Sequence, residues 1–181
     1  MRVIAGSARS IPLIAPQGYE TRPTSDKIKE TLFNMINFDL PGCTFIDLFS
    51  GSGAIGIEAL SRGAKHAYFV ESSKKAVECI KANVTKCKFT DEATIIARDV
   101  FDACYSIHDK ADIIFMDPPY DMNREADIME MLKNTDVYHK DTLFIIESNL
   151  DKDLSNLSAL GFSIVKEKKY KNNKHTFFNI S

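Results

Sequence analysis

The run Asp112-Ile113-Ile114-Phe115-Met116-Asp117-Pro118-Pro119-Tyr120 sets a short apolar stretch against a carboxylate, two prolines and a phenol. Apolar residues 113–116, bounded by aspartates, predict a short buried strand. The strand has to stop at Pro118, because neither Pro118 nor Pro119 offers an N–H to a ladder. Pro118 also holds Asp117 extended, so its carboxylate stands at the carboxyl end of the strand. In open α/β sheets that edge is where ligands bind. A stiff corner of this kind can hold a planar amine edge-on. One N–H meets the Asp117 carboxylate, one meets the Pro118 carbonyl, and the ring face lies against Tyr120.

A second constellation begins at Asp47-Leu48-Phe49-Ser50-Gly51-Ser52-Gly53-Ala54-Ile55-Gly56. Gly51, Gly53 and Gly56 satisfy G-x-G-x-x-G between an expected strand and an expected helix, and Glu71 lies 20 residues after Gly51. That is also the fingerprint of a dinucleotide site. Asp47, however, would stand beside a pyrophosphate and repel it. S-adenosylmethionine carries an ammonium and a sulfonium and no phosphate, so Asp47 suits it. The expected cofactor site is therefore Asp47, Phe49, Ser50, Gly51 and Gly53, with three more acids at later strand ends. Glu71 can accept both ribose hydroxyls, Asp99 the adenine amine with Val100 covering the ring, and Asp117 follows.

The elements that must position these groups alternate. Strands are expected at 44–49, 67–70, 94–97, 113–116 and 142–146, with helices at 54–61, 74–87 and 126–132 between them. This is the mark of a mostly parallel sheet covered on both faces. A short helix at 154–160 and two β-rich runs, 162–170 and 175–180, follow; Asn172-Asn173 splits the runs as a hairpin turn. Ahead of the sheet, two short extended pieces (3–5 and 11–14) lead to a helix capped by Thr24 or Ser25. Its apolar stripe is Ile28, Thr31, Leu32, Met35 and Ile36, with Lys27, Lys29 and Glu30 off it. Pro41-Gly42 divides an N-terminal extension, 1–41, from a main domain, 42–181.

Composition narrows the classes. With 181 residues, 44% hydrophobic and 27% charged, the chain suits one globular domain. No apolar run approaches a membrane span, and the chain is expected to be cytoplasmic and monomeric. Cys43, Cys79, Cys87 and Cys104 form no C-x-x-C pair and the four histidines are scattered, which predicts buried reduced thiols and no metal site. The net charge of −2 conceals basic ends, +3 over residues 1–29 and +4 over residues 160–181, on an acidic body. Such ends could serve a polyanion.

Asp117-Pro118-Pro119-Tyr120 resembles the catalytic motif of amino-methyltransferases, and the glycine loop resembles the first motif of class I methyltransferases. Gly6-Ser7-Ala8-Arg9 and the segment Thr21-Arg22-Pro23-Thr24-Ser25-Asp26-Lys27-Ile28-Lys29-Glu30-Thr31-Leu32-Phe33-Asn34 resemble the signature of the RsmD family over essentially the whole chain. One departure is Ser10, where that family usually has Gly. The resemblance implies a Rossmann-like class I fold with a seven-stranded sheet and a C-terminal β-hairpin. It implies transfer of a methyl group from S-adenosylmethionine to N2 of one guanine in 16S ribosomal RNA or the assembling small subunit. Asp117 and the Pro118 carbonyl would hold N2, Tyr120 would stack on the base, and Arg9, Arg22, Lys27 and Lys29 would hold phosphates. A DNA or RNA adenine-N6 enzyme and a non-catalytic S-adenosylmethionine-binding RNA module are the alternatives.

Overall fold

A computed structural model describes residues 1–16, 25–119 and 124–181. Its centre is a seven-stranded sheet in the order β3-β2-β1-β4-β5-β7-β6. β1 (Thr44–Asp47), β2 (His66–Val70), β3 (Ala93–Ile96), β4 (Ala111–Met116) and β5 (Tyr138–Asn149) run parallel. β6 (Phe162–Lys169) and β7 (Asn173–Ile180) form an antiparallel hairpin, and β7 inserts against β5. β1 lies between β2 and β4, so the strand order reverses there and leaves a crevice at the carboxyl ends.

Side-chain alternation divides the core between the two faces. Phe45, Phe69, Ile113, Phe115 and Ile145 point to one face, where α1 (Asp26–Met35), α2 (Ala54–Ser61) and α3 (Lys74–Cys87) pack. Ile46, Val70, Ile114, Met116, Phe144 and Ile146 point to the other, under α4 (Val100–Ala103) and α5 (Glu125–Lys133). A single 3₁₀ segment, Ser155–Leu160, stands where the sequence suggests a short helix.

α2 is buried along its whole length because the N-terminal extension covers it. The two extended pieces make only one isolated bridge, Arg2 with Pro12, closed by Val3 N–H to Ile11 O and Ser10 N–H to Val3 O. The tip of this hairpin meets the last turn of α2: Ser7 N–H donates to Ser61 O, and Ala8 N–H to Ser61 Oγ. Gly6, at φ +83°, lies so close to the Ser61 backbone that a Cβ there would sit 1.7 Å from its carbonyl oxygen. Ser10 also takes a left-handed φ of 70°, which is why glycine suits that position.

The helix within the extension begins where expected, with Ser25 Oγ accepting from Ile28 N–H. Lys29 departs from its expected place on the outer surface. Its side chain is 1% exposed, 3.3 Å from Glu58 Oε2, and donates to Arg2 O at 2.6 Å. Burial pushes its ammonium below the ordinary value, against the pull of the Glu58 charge. The period of α1 placed Lys29 off the apolar stripe, but a buried acid on α2 reaches it there. Cys79 is only half buried, unlike Cys43, Cys87 and Cys104. No helix among the described residues is long and apolar enough to cross a membrane.

Candidate active site

The register brings the strand-end acids together. Asp47 pairs with Phe69 on β2 and Phe115 on β4, so Glu71 and Asp117 each lie two residues beyond a residue level with Asp47. Beyond β1 the chain turns through Gly51 at φ +53° and Gly53 at φ +81°, conformations that cost a side-chain-bearing residue. A Cβ on Gly56 would come within 2.4 Å of the Phe69 ring, so helix α2 can approach the sheet only there as glycine. Glu71 fastens the loop: one carboxylate oxygen accepts from Gly51 N–H at 2.9 Å, the other from Ser73 N–H at 2.8 Å. Each oxygen keeps a lone-pair position for a further donor. Ser50 is tied down by its N–H to Val70 O and its hydroxyl to Asp47 O.

Above the loop lies a cavity of about 360 Å³ lined by Leu48, Phe49, Ser50, Gly51, Glu71, Asp99, Val100, Phe115, Asp117 and Pro119, among others. Met1, Ala15 and Pro16 of the extension close part of its wall. Asp99 is more engaged than its sequence role suggests. One oxygen accepts from Phe101 N–H at 3.0 Å and caps α4, which leaves the other free to turn to a ligand. Val100 is buried and lines the cavity.

Asp47 is 1% exposed and lies beneath this wall. Neither carboxylate oxygen has a hydrogen-bond partner among the described residues. Burial pushes its acid up to about 7; the nearby Phe49 and Gly56 amides, short of hydrogen-bond geometry, oppose this, and the Glu71 charge adds to it. An orphaned buried carboxylate under a cavity is costly unless a cation comes to it. A ligand bearing an ammonium and a sulfonium fits that requirement.

Asp117 keeps part of its surface open at the end of β4, with Pro118 buried and Pro119 exposed behind it. Enclosure by the walls raises its acid well above the usual carboxylate range, and the charges of Glu147 and Asp47 raise it further. Tyr120 and Arg22 lie outside the described residues. Arg9 and Lys27 are exposed. Arg9 stands in the hairpin tip, at the end of α2 remote from the glycine loop, about 12 Å away for eight residues of helix.

Two features had no place in the sequence reading. Asn83, fully buried on α3, exchanges hydrogen bonds with both Ile14 N–H and Ile14 O, and donates to Ser52 O, tying the extension to the glycine loop. Glu147, 3% exposed at the end of β5, accepts from Asn173 Nδ2 at 2.5 Å and lies 2.9 Å from His175 Nε2. The signal for Glu147 is local: it directly follows an apolar run, as Asp117 does. The partners on β7 have no such signal.

The chain matches the family model described as "Conserved hypothetical protein 95" over residues 1–179. It is 36% identical to YlbH of Bacillus subtilis over 85% of both chains. It is 32% identical to ribosomal RNA small subunit methyltransferase D of Haemophilus influenzae, over 93% of this chain and 88% of that one. The solved structure of yhhF from Escherichia coli superimposes with a TM-score of 0.86 at 25% identity, covering 100% of this chain and 98% of that one. The sheet order with its antiparallel C-terminal hairpin is the class I methyltransferase fold.

Proposed function

Because this chain belongs to the RsmD family of class I methyltransferases, we propose that it methylates the exocyclic N2 amine of a specific guanine in 16S ribosomal RNA. The observation that carries this reading is the cavity at the reversal of strand order. Glu71, Asp99 and Asp117 line it from the ends of three strands, and Asp47, at the end of β1 beneath its wall, has no hydrogen-bond partner among the described residues. S-adenosylmethionine, when bound, supplies an electrophilic methyl group. Glu71 receives the ribose hydroxyls, the open oxygen of Asp99 the adenine amine, and Val100 the adenine face. Asp47 offsets positive charge from beneath.

At the other end of the cavity, Asp117 and the Pro118 carbonyl each accept one N–H of the guanine amine. The N2 lone pair is delocalised into the base and poorly nucleophilic. Two acceptors set at an angle pull the amine toward tetrahedral geometry and localise that lone pair toward the methyl donor. Alignment supplies much of the acceleration, and the carboxylate stabilises the positive charge that develops on nitrogen. Tyr120 stacks on the base, which has to be unpaired or flipped to enter. Arg9, Lys27 and Arg22 hold phosphates. At its distance from the glycine loop, Arg9 serves a nucleotide other than the target. Lys29, spent on Glu58, drops from that set.

The test is mass spectrometry of nucleosides from 16S RNA of a strain lacking the protein, before and after incubation with the pure protein and S-adenosylmethionine. N2-methylguanosine should be missing at first and restored by the wild type but not by Asp117→Ala. Restoration of N6-methyladenosine instead would move the target to adenine.

A further inference from the structure

Glu147 is the next residue on β5 after Ile146, and Asp117 the next on β4 after Met116; Met116 and Ile146 are paired. Two carboxylates thus stand side by side at the sheet edge. Glu147 is buried at 3% exposure and held at both oxygens, by Asn173 Nδ2 and by His175 Nε2. His175 is itself fully buried, with the edge of its ring system against Phe115 and Tyr170 Oη 3.0 Å from Nδ1. Burial, with the Glu147 charge, pushes the Tyr170 phenol up to about 12, so it keeps its proton and can meet Nδ1 as donor or acceptor. The carboxylate oxygen 2.9 Å from Nε2 can only accept, so Nε2 is the nitrogen that donates to Glu147. Both Glu147 oxygens and both His175 ring nitrogens then have a partner. A buried network completed in this way sets charge and orientation with little freedom.

We propose that Glu147, clamped by Asn173 and by the His175–Tyr170 pair, is a positioning residue that fixes a negative charge beside Asp117 and makes Asp117 the acceptor of the proton released in methyl transfer. This rests on the amine-methylating reading above. As the C–N bond forms, the donor's C–S bond breaks and its electron pair stays on sulfur. N2 is left with a methyl group, two protons and a positive charge. One proton passes to a carboxylate oxygen of Asp117, N2 recovers its lone pair, and the carboxylate becomes a neutral acid. Among the described residues the charges that act on Asp117 are those of Glu147 from β5 and Asp47 from β1, both acidic. Each disfavours a bare carboxylate there and so favours the protonated product.

The experiment follows the Asp117 carboxyl by 13C NMR in protein labelled at aspartate side-chain carboxyls, with the signal identified by its loss in Asp117→Asn. In Glu147→Gln, which keeps the size, removes the charge and can still accept from one of the two partners, the Asp117 midpoint should fall by about one unit, the lower end of what a neighbouring charge does. Glu147→Asp, which withdraws the charge by one methylene, should lower it by less, and it reads the same coupling if the glutamine variant does not fold. The acidic limb of turnover should move to lower pH by the same amount, while affinity for S-adenosylmethionine stays within a few fold. An Asp117 midpoint unchanged in the variants overturns the proposal, and a loss of thermal stability alone assigns Glu147 a purely structural part. If the wild type methylates no RNA, the functional reading fails, while the carboxyl titration still decides the coupling.

Discussion

Two carboxylates in this molecule are buried to the same degree, Glu58 at 0% and Asp47 at 1% exposure, and they live under opposite conditions. Glu58, on the helix after the glycine loop, accepts from Ile4 N–H, Ala5 N–H and Arg62 Nε, with Lys29 Nζ at 3.3 Å. Asp47, a strand away, accepts from nothing among the described residues. Burial alone therefore says little about function. A buried acid whose donors are all supplied from within is a brace, here joining the extension to α2. A buried acid left without donors beside a cavity is a place prepared for something positive.

The comparison is broken most forcefully at the brace. Glu58→Ala should cost about 3–5 kcal/mol in a denaturant titration, because it strands Lys29 and Arg62 as buried cations and frees two backbone N–H groups. Cofactor affinity, measured where the variant is still folded, should change little.

At Asp47 the sign should reverse. Its folded-state value of about 7 lies above the unfolded value near 3.8, so the folded state holds the extra proton between them. Stability from this group is present below about pH 4 and is lost as pH rises through about 7. Asp47→Asn should flatten that decline in thermal unfolding. At pH 8 it should raise the stability of the ligand-free protein, by up to about 4 kcal/mol, while weakening S-adenosylmethionine. A variant less stable than the wild type at pH 8 would put Asp47 with the braces.

Glu71 combines both conditions, since its oxygens hold Gly51 and Ser73 yet line the cavity. Glu71→Ala should weaken S-adenosylmethionine by about 1.5–3 kcal/mol by calorimetry, with NAD showing no saturable binding. NAD binding more tightly would overturn the cofactor assignment.

How far the sequence could be read follows the range of the interactions. The strand-end acids, the glycine loop and the helix at Asp26–Met35 were readable because period, proline and glycine act within a few residues. β5 proved longer than its apolar core, running Tyr138–Asn149, because its polar ends continue the ladder with β4 and β7. Lys29 was misplaced because its partner Glu58 is brought to it only by packing of α1 on α2. The Glu147–His175 pair spans 28 residues and depends on the register of an antiparallel insertion. Asp99 looked like a free acceptor because its capping bond forms only once α4 does.

The smallest effect belongs to the tip of the hairpin that Glu58 holds in place. Ser10 sits at φ 70°, a conformation that costs an L-residue about 1–2 kcal/mol, and its N–H is committed to Val3 O, so the backbone cannot relax away from it. Glycine removes that strain but brings more freedom to the unfolded chain, about 0.5–1 kcal/mol against it. Ser10→Gly should therefore stabilise by about 0.5–1 kcal/mol. At about 2–4 °C per kcal/mol for a chain of this size, that is a rise of roughly 1–4 °C in melting temperature. Ser10→Ala, which keeps the Cβ, should bring no such gain. Because the tip's backbone is hydrogen-bonded, among the described residues outside the extension, to the far end of α2, affinity for S-adenosylmethionine should be the same in all three proteins. A gain in Ser10→Gly accompanied by tighter cofactor binding would show that the tip is coupled to the glycine loop, through α2 or through the Ile14–Asn83–Ser52 tie, and the separation between brace and site would have to be redrawn.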